Sequence, residues 1–260
     1  MTLTADHVSF AYPRGPLVLR EVSLDVGGGA VTFLLGANGS GKTTLLNCLS
    51  GLRTPSSGEV RIDGRRLTEV SPRERAQRIG VVPQLHDPIF PFTVAEAVLM
   101  GRAPHLGFLD RPGPADRQAV DAVLDEVGLA TLRHTSTLRL SGGERQLVLI
   151  ARGLAQGARC LLMDEPAAHL DPRHAADVFG VVRRLAASGL SFLVSSHDPN
   201  DALLYAAHVV FLKDGAVVRS GPPAEAMAED TLRQVYGVEL RILEGAAGER
   251  AVLPRLRDDP

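Results

Sequence analysis

The sequence of 260 residues has few cysteines, no long apolar run and no block of like charge. Its two cysteines, Cys48 and Cys160, stand among apolar residues, which favours buried core positions over a disulfide or a metal pair. A net charge of −2 without clustered Lys or Arg argues against nonspecific binding to nucleic acid. No apolar run approaches the roughly 20 residues that cross a bilayer, and the start MTLTADHVSF lacks a signal-peptide pattern. We therefore expect the chain to stay in the cytoplasm.

Short apolar runs separated by turns predict sheet over residues 3–62. Within this region, VTFLLG (31–36) predicts a buried strand that leads straight into a glycine-rich loop. The Asp-Gly pairs at 63–64 and 214–215 lie between strand-like stretches and predict hairpin turns. We expect sheet to dominate both ends of the chain.

The middle of the sequence has apolar residues at helical spacing, for example from Val120 to Val127. After it, CLLMDEP (160–166) and LSFLVSSHD (190–198) predict two buried strands with a helix between them, which implies a parallel sheet. We expect an α/β core over about 1–86 and 159–220, a helical insert over about 87–158, and a C-terminal extension over 221–260 that is loosely held from residue 245.

The segment GANGSGKTT (36–44) is a glycine-rich loop between a predicted strand and a predicted helix. Its glycines allow consecutive backbone N–H groups to face inward as an anion nest at a helix N-terminus. Lys42 supplies a charge for the β- and γ-phosphates, and the Thr43 hydroxyl suits Mg²⁺. The pattern predicts binding of a nucleoside triphosphate by Gly36, Ala37, Asn38, Gly39, Ser40, Gly41, Lys42, Thr43 and Thr44.

CLLMDEP places two adjacent carboxylates at the carboxyl end of a buried strand, where α/β proteins bind ligands. We expect Asp164 to hold Mg²⁺ through water and Glu165 to polarise the water that attacks the γ-phosphate. A strand that simply ends in an acidic turn is the alternative. The complete phosphate loop in the same chain favours the catalytic interpretation.

The stretch LSGGERQ (140–146) admits two interpretations. Ser141 followed three residues later by Glu144 forms a capping box at the start of a helix. The same helix N-terminus, with Gly142 and Gly143, can donate backbone N–H groups to phosphate oxygens. Because no Lys follows, we expect half of a composite nucleotide site rather than a second complete one.

Three further residues are candidates because of where they stand. His197 follows an apolar strand and is expected at the same sheet edge as the two carboxylates, where it can sense the γ-phosphate. Gln84 ends the apolar strand IGVVPQ and can coordinate Mg²⁺ or the attacking water. Tyr12 can stack on a planar base, although an edge-strand aromatic packed on the sheet is an alternative.

Taken in order, these motifs resemble the ABC transporter ATPases over nearly the whole chain, with LSGGERQ as the discriminating element. The resemblance implies one ABC ATPase domain over residues 1–240: a RecA-like P-loop NTPase core with an antiparallel β subdomain and an inserted α-helical subdomain. It implies an active ATPase that uses ATP and Mg²⁺.

The resemblance also implies a head-to-tail homodimer. Each ATP would lie between the loop Gly36–Thr43 of one subunit and the segment Ser141–Glu144 of the other. Glu165 would be the catalytic base, His197 the switch residue, and Asp171, in AHLD (168–171), part of the loop that links the two sites. Ala37 replaces a frequent Pro, and Ala167-Ala168 replaces a more polar pair.

Within the family, four stretches resemble ATPases of importers for iron–siderophore chelates, haem and cobalamin: TVAEAVLMGRAPHLGF (93–108), RPGPADRQAV (111–120), AHLD and LRQVYGVEL (232–240). Some relatives of that kind handle molybdate, and Phe90, Phe92 and Leu106 also suit ordinary packing of a helical lobe. The resemblance implies integral-membrane permease subunits, a solute-binding protein outside, and a place on the inner face of the cell membrane.

Two other classes compete with an importer. A soluble ABC ATPase of DNA repair or translation is disfavoured by the short insert and the single phosphate loop. A stand-alone phosphate-loop kinase leaves LSGGERQ and His197 unexplained. We therefore expect the energising subunit of an importer.

Overall fold

The computed structural model describes residues 1–84, 90–107, 109–246 and 248–255. The strands in these ranges are β1 (Thr2–Ala11), β2 (Leu17–Gly27), β3 (Val31–Leu35), β4 (Ser57–Ile62), β5 (Arg65–Arg66), β6 (Ile79–Val82), β7 (Cys160–Asp164), β8 (Ser191–Ser196), β9 (His208–Lys213), β10 (Ala216–Gly221), β11 (Leu240–Glu244) and β12 (Arg250–Pro254). The α-helices are α1 (Lys42–Leu49), α2 (Pro72–Ala76), α3 (Val94–Leu99), α4 (Pro114–Glu126), α5 (Gly142–Ala155), α6 (Pro172–Ala187), α7 (Pro199–Tyr205), α8 (Pro223–Ala226) and α9 (Glu229–Tyr236). Short 3-10 helices cover Leu67–Glu69, Met100–His105, Ala130–Leu132 and Thr137–Arg139.

The strands form three sheets. One has the order β10-β9-β3-β8-β7-β6 and is parallel except for β10. The second, β2-β1-β4-β5, is antiparallel, and β11 pairs with β12 in the third. The two predicted hairpin turns are confirmed, because Asp63-Gly64 and Asp214-Gly215 join paired strands with positive φ at both residues of each turn. This is the α/β core with an antiparallel lobe that the resemblance implies.

The central sheet is covered on both faces. Alternate side chains of each strand point to opposite faces, so Phe33 lies in the core on the helical side and Leu34 in the core shared with the antiparallel sheet and α1. Both cysteines are buried in the second core, which confirms the prediction of core positions. Burial raises the pKa of the Cys48 thiol to about 11 and that of Cys160 to about 12.

The described part of the insert is helical, as predicted. Thr93 and Glu96 form a capping box at the start of α3, and α3, α4 and α5 pack on one another. The boundary predicted near residues 86–87 and Phe108 of the stretch 93–108 lie outside the described residues. No helix in the described ranges is long and apolar enough to cross a membrane.

The tail differs from the sequence-based prediction. Residues 250–254, expected to be loosely held, form β12, and Val252 in that strand is 5% exposed. The segment is mostly polar, but Val252 packs in the main core, which is the core on the helical side of the central sheet. Residues 256–260 of the predicted tail lie outside the described residues.

Candidate active site

The glycine-rich loop connects β3 to α1. Gly36 passes so close to β9 that a Cβ there would collide with the Leu212 carbonyl oxygen. Gly41 has a φ of 107°, which L side chains rarely adopt, and it immediately precedes α1. These two glycines let the backbone turn so that the N-terminus of α1 faces the loop, which is the arrangement expected of a phosphate site.

Lys42, the first residue of α1, is 6% exposed. Its Nζ donates to the carbonyl oxygens of Gly36 at 2.8 Å and Ala37 at 3.2 Å. Burial lowers the pKa of the ammonium group, and the charge of Glu165 acts in the opposite direction. The loop therefore encloses the Lys42 ammonium group, which donates to backbone carbonyl oxygens. A phosphate bound at this place would offer the ammonium group stronger acceptors.

The hydroxyl groups of the loop differ in their surroundings. Ser40 is buried, and its Oγ has no hydrogen-bond partner in the described part of the chain. Thr43 is exposed, whereas Thr44 is buried with its Oγ1 3.4 Å from the Tyr12 hydroxyl. A buried hydroxyl without a partner is costly, so Ser40 Oγ is suited to bind an incoming oxygen.

Asp164 ends β7, and Ser195 of β8 lies opposite it in register. The buried Ser195 hydroxyl donates to Asp164 Oδ1 at 2.6 Å and accepts from the Glu165 N–H at 2.9 Å. Glu165 has a φ of 45°, a conformation that is strained for a residue with a Cβ. One hydroxyl therefore fixes both acidic residues and supports the strained one.

The Glu165 carboxylate lies between a lysine and a histidine. Its Oε1 is 3.7 Å from Lys42 Nζ, and its Oε2 is 3.2 Å from His197 Nδ1. The carboxylate side chain is 19% exposed, so solvent only partly screens its attraction to the Lys42 ammonium group. A carboxylate held in this way can accept a proton from water while the cation faces developing negative charge.

A cavity of about 630 Å³ lies beside Glu165 and His197. Its lining includes Asn38, Gln84, Glu165, His197 and Asp201. Burial and the nearby Asp198 raise the pKa of Asp201 to about 6. The structure thus brings Gln84 and His197, which are far apart in sequence, to the carboxyl edge of the central sheet.

Tyr12 lies directly after β1 and is 40% exposed. The Phe10 ring meets it edge-on at 5.0 Å, and the Arg53 guanidinium lies 5.4 Å from its centroid. Because β1 is an inner strand of its sheet, Tyr12 is not an edge-strand aromatic. Its exposed ring beside the phosphate loop suits stacking on a base.

Ser141 and Glu144 form the predicted capping box: the Ser141 N–H donates to Glu144 Oε2 at 2.7 Å, and the Glu144 N–H donates to Ser141 Oγ at 3.3 Å. They begin α5, which starts with Gly142 and Gly143. Among the described residues that line the cavity beside Glu165, none comes from 141–144. The capping box, one of the two interpretations of this stretch, is present within a single chain.

Asp171 caps α6 and is hydrogen-bonded to His174, which was not among the residues predicted from the sequence. His174 donates its N–H to Asp171 Oδ1 at 2.9 Å, and its Nδ1 lies 2.8 Å from Asp171 Oδ2. The His174 side chain is also packed on Gly143, where an added Cβ would lie 2.9 Å from the His174 Cβ. His174 thus connects the start of α5 to the loop before α6.

The oxygen donors beside the loop suit a divalent cation. Thr43 offers a hydroxyl, Gln84 an amide oxygen and Asp164 a carboxylate, and hard oxygen donors are what Mg²⁺ takes, together with water and phosphate oxygens. No group of three or more His, Cys, Asp or Glu side chains able to hold a metal occurs in the described ranges. Thr43, Gln84 and Asp164 are thus oxygen donors of the kind that suits Mg²⁺ bound together with a phosphate.

Ser195 was also missed, although two hydroxyl residues at the end of an apolar strand are a signal that could have found it. Ser195→Ala is expected to lower kcat about tenfold or more and the free energy of unfolding by about 1–3 kcal/mol, because Asp164 and the Glu165 N–H lose their shared partner. Phosphate release and denaturant unfolding measure the two effects.

Ser191→Ala is the matched control, since this buried hydroxyl on the same strand accepts only a 3.3 Å bond from the Gly29 N–H among the described contacts. An equal loss of kcat in both variants would show that Ser195 acts through general stability alone.

The sequence model of the ABC transporter family matches residues 19–168. A hemin import ATP-binding protein of Thermobifida fusca is 41% identical over 257 residues, covering 98% of this chain and 89% of that protein. One from Myxococcus xanthus is 40% identical over 233 residues, covering 87% and 86%.

Solved structures are similar as well. A metal-chelate type ABC transporter in an inward-facing conformation superposes with a TM-score of 0.86 at 27% identity, covering 98% of this chain and 97% of the other. A bacterial ABC transporter cassette solved as a dimer gives a TM-score of 0.72 at 27% identity, covering 85% and 98%.

Proposed function

Because the chain belongs to the ABC transporter family and is an ATP-binding ATPase of that family, we propose that it energises an importer for haem or a related iron chelate. The proposed role in ATP hydrolysis rests on one observation: Glu165 lies between Lys42 and His197 beside the phosphate loop. The hemin import relatives and the metal-chelate transporter support the choice of solute.

In the proposed site, the loop 36–44 holds the phosphates and Tyr12 stacks on the base. Thr43, Gln84 and Asp164 hold Mg²⁺, which supplies charge neutralisation on the phosphate oxygens when it is bound. Glu165 accepts a proton from the attacking water, and Lys42 stabilises charge that develops on the transferred phosphoryl group. His197 senses the γ-phosphate and keeps Glu165 in place through their 3.2 Å contact.

ABC ATPase cassettes dimerise, and in importers they pair with membrane permeases. For this chain we propose a homodimer in which Ser141–Glu144 of one subunit closes over the ATP of the other. The similar cassette solved as a dimer supports this proposal, and the start of α5 at Gly142 and Gly143 suits phosphate oxygens. Asp171 lies in the loop that joins the two sites. The dimer binds permease subunits at the inner face of the membrane, and a solute-binding protein delivers the chelate from outside.

In this scheme ATP binding closes the dimer and hydrolysis resets it. Closure moves the helical inserts, and the permease seated on them changes the side to which it opens. The chain never touches the solute, so solute specificity belongs to the permease and the binding protein.

The test is transport by the complete complex. We expect the chain to co-purify with its permease and, in proteoliposomes with the binding protein, to drive ATP-dependent uptake of haem. Ferric siderophores, cobalamin and molybdate serve as competing solutes, and a complex that carries Glu165→Gln serves as the inactive control. Uptake of molybdate or cobalamin in preference to every iron chelate would refute the proposed solute class. Failure of the active chain to bind any permease or to drive uptake of any of these solutes would refute the importer.

A further inference from the structure

The C-terminal hairpin, formed by β11 and β12, is fastened to the segment that follows His197. Asn200, in the first turn of α7, uses both ends of its side-chain amide. Its Nδ2 donates to the Val252 carbonyl oxygen at 3.2 Å, and its Oδ1 accepts from the Val252 N–H at 2.8 Å. The amide thus bonds β12 as a neighbouring strand would. Because Val252 also belongs to the main core, this end of the contact is fixed.

The hairpin is attached to the fold at a second point. Ile242, opposite Val252 in register, donates its N–H to Glu229 Oε1 of α9 at 3.0 Å. Both backbone groups of Val252 bond Asn200 and therefore point away from Ile242. The hairpin consequently connects α9 on one side with α7 on the other.

The other end of the contact is the turn that carries His197. Asp198 Oδ1 accepts from the Asn200 N–H at 2.8 Å and from Asn200 Nδ2 at 3.1 Å, and the Asp198 N–H donates to Ser196 Oγ at 3.0 Å. The His197 side chain is 54% exposed. Few neighbours contact a half-exposed ring, so the backbone of residue 197 mainly determines where the His197 ring lies. Here Asn200 holds that backbone through its bonds to Asp198.

We propose that Asn200 is a positioning residue for His197: through Asn200, the C-terminal hairpin holds residues 196–200 where His197 reaches Glu165. This inference rests on the role proposed above for His197. It gives the C-terminal extension a part in ATP hydrolysis, although none of its residues contributes a group to the cavity beside Glu165 in the described structure.

A purely structural role makes a different prediction. If the amide only secured the hairpin, its loss would lower thermal stability and would reduce activity by the same factor whether or not His197 was present. If it positions His197, its loss has no further effect on turnover once the imidazole is gone.

The experiment is a double-mutant cycle on the full chain with Asn200→Ala, His197→Ala and both together. We expect His197→Ala to lower kcat about a hundredfold, and Asn200→Ala to lower it about tenfold with a KM for ATP within about twofold of the original. In the His197→Ala background, Asn200→Ala should change kcat by less than about twofold. Leu204→Ala, at an exposed position of the same helix, is the control and should change nothing.

Asn200→Asp provides a second variant if Asn200→Ala folds poorly. Its carboxylate still accepts from the Val252 N–H but cannot donate to the Val252 carbonyl oxygen or to Asp198 Oδ1, and its charge repels that of Asp198. Because these changes also disturb the turn that carries His197, we expect the same non-additivity with His197→Ala. Additive losses in both cycles, or full kcat in Asn200→Ala, would overturn the positioning role. An unchanged kcat in His197→Ala would instead overturn the proposed function of His197, which separates the two failures.

Discussion

Glu165→Gln is expected to bind ATP as the unchanged chain does and to hydrolyse it about 100- to 10,000-fold more slowly. The amide has the size and shape of the carboxylate but cannot accept a proton from water. The fold around it should persist, because the bond from the residue 165 N–H to Ser195 Oγ does not involve the side chain. With ATP bound and not consumed, the closed dimer should accumulate.

Two measurements check this expectation: phosphate release at saturating ATP, and molecular mass by light scattering with and without ATP. Glu126→Gln, at an exposed carboxylate of α4, is the control and should leave both unchanged. If Glu165→Gln hydrolysed ATP at the original rate, Glu165 would not be the base. If it stayed monomeric with ATP, the composite site would be wrong.

Lys42→Ala is expected to lower kcat/KM for ATP by roughly two to three orders of magnitude or more. The ammonium group is buried against the loop and lies 3.7 Å from Glu165 Oε1, so its charge acts on the phosphates at low effective dielectric. Its removal also deletes the hydrogen bonds that Lys42 Nζ donates to the carbonyl oxygens of Gly36 and Ala37. We therefore expect ATP binding and turnover to fall together, unlike in Glu165→Gln.

The chain offers a natural control for this change. Lys213 is the only other lysine in the sequence, and it donates to the Gln234 carbonyl oxygen at 2.7 Å. Lys213→Ala should keep both the ATP affinity measured by calorimetry and the rate of phosphate release. A Lys42→Ala protein that retained tight ATP binding and full turnover would contradict the proposed phosphate site.

The parts of the site that sequence predicts best are those fixed by neighbouring residues. The turn of the loop needs glycine at 41 because of its own φ of 107°, and the loop lies between a strand and a helix as expected. The capping box of Ser141 and Glu144 is likewise a relation between residues three apart. Such features follow from backbone geometry that a short segment already determines. Gly36, by contrast, is required by a distant segment, since a Cβ there would collide with the Leu212 carbonyl oxygen.

Contacts between distant segments could not be read in this way. Ser195 meets Asp164 only because β7 and β8 pair in one particular register, and a shift of the register would separate them. Asn200 meets Val252 only because a polar tail contains one residue that the core can bury. The sequence also leaves open whether Ser141–Glu144 binds a nucleotide, since the capping box forms at that helix start without a ligand.

The attachment of the hairpin has a consequence for association between molecules. A two-stranded sheet has two free edges, and unpaired backbone groups on an edge can recruit a strand from another chain. Here Asn200 occupies the backbone groups of Val252 on one edge, and Glu229 occupies the Ile242 N–H on the other. Backbone groups near the middle of both edges are therefore already hydrogen-bonded within the chain. The side chains that fasten the hairpin thus also guard against aggregation through β-sheet extension.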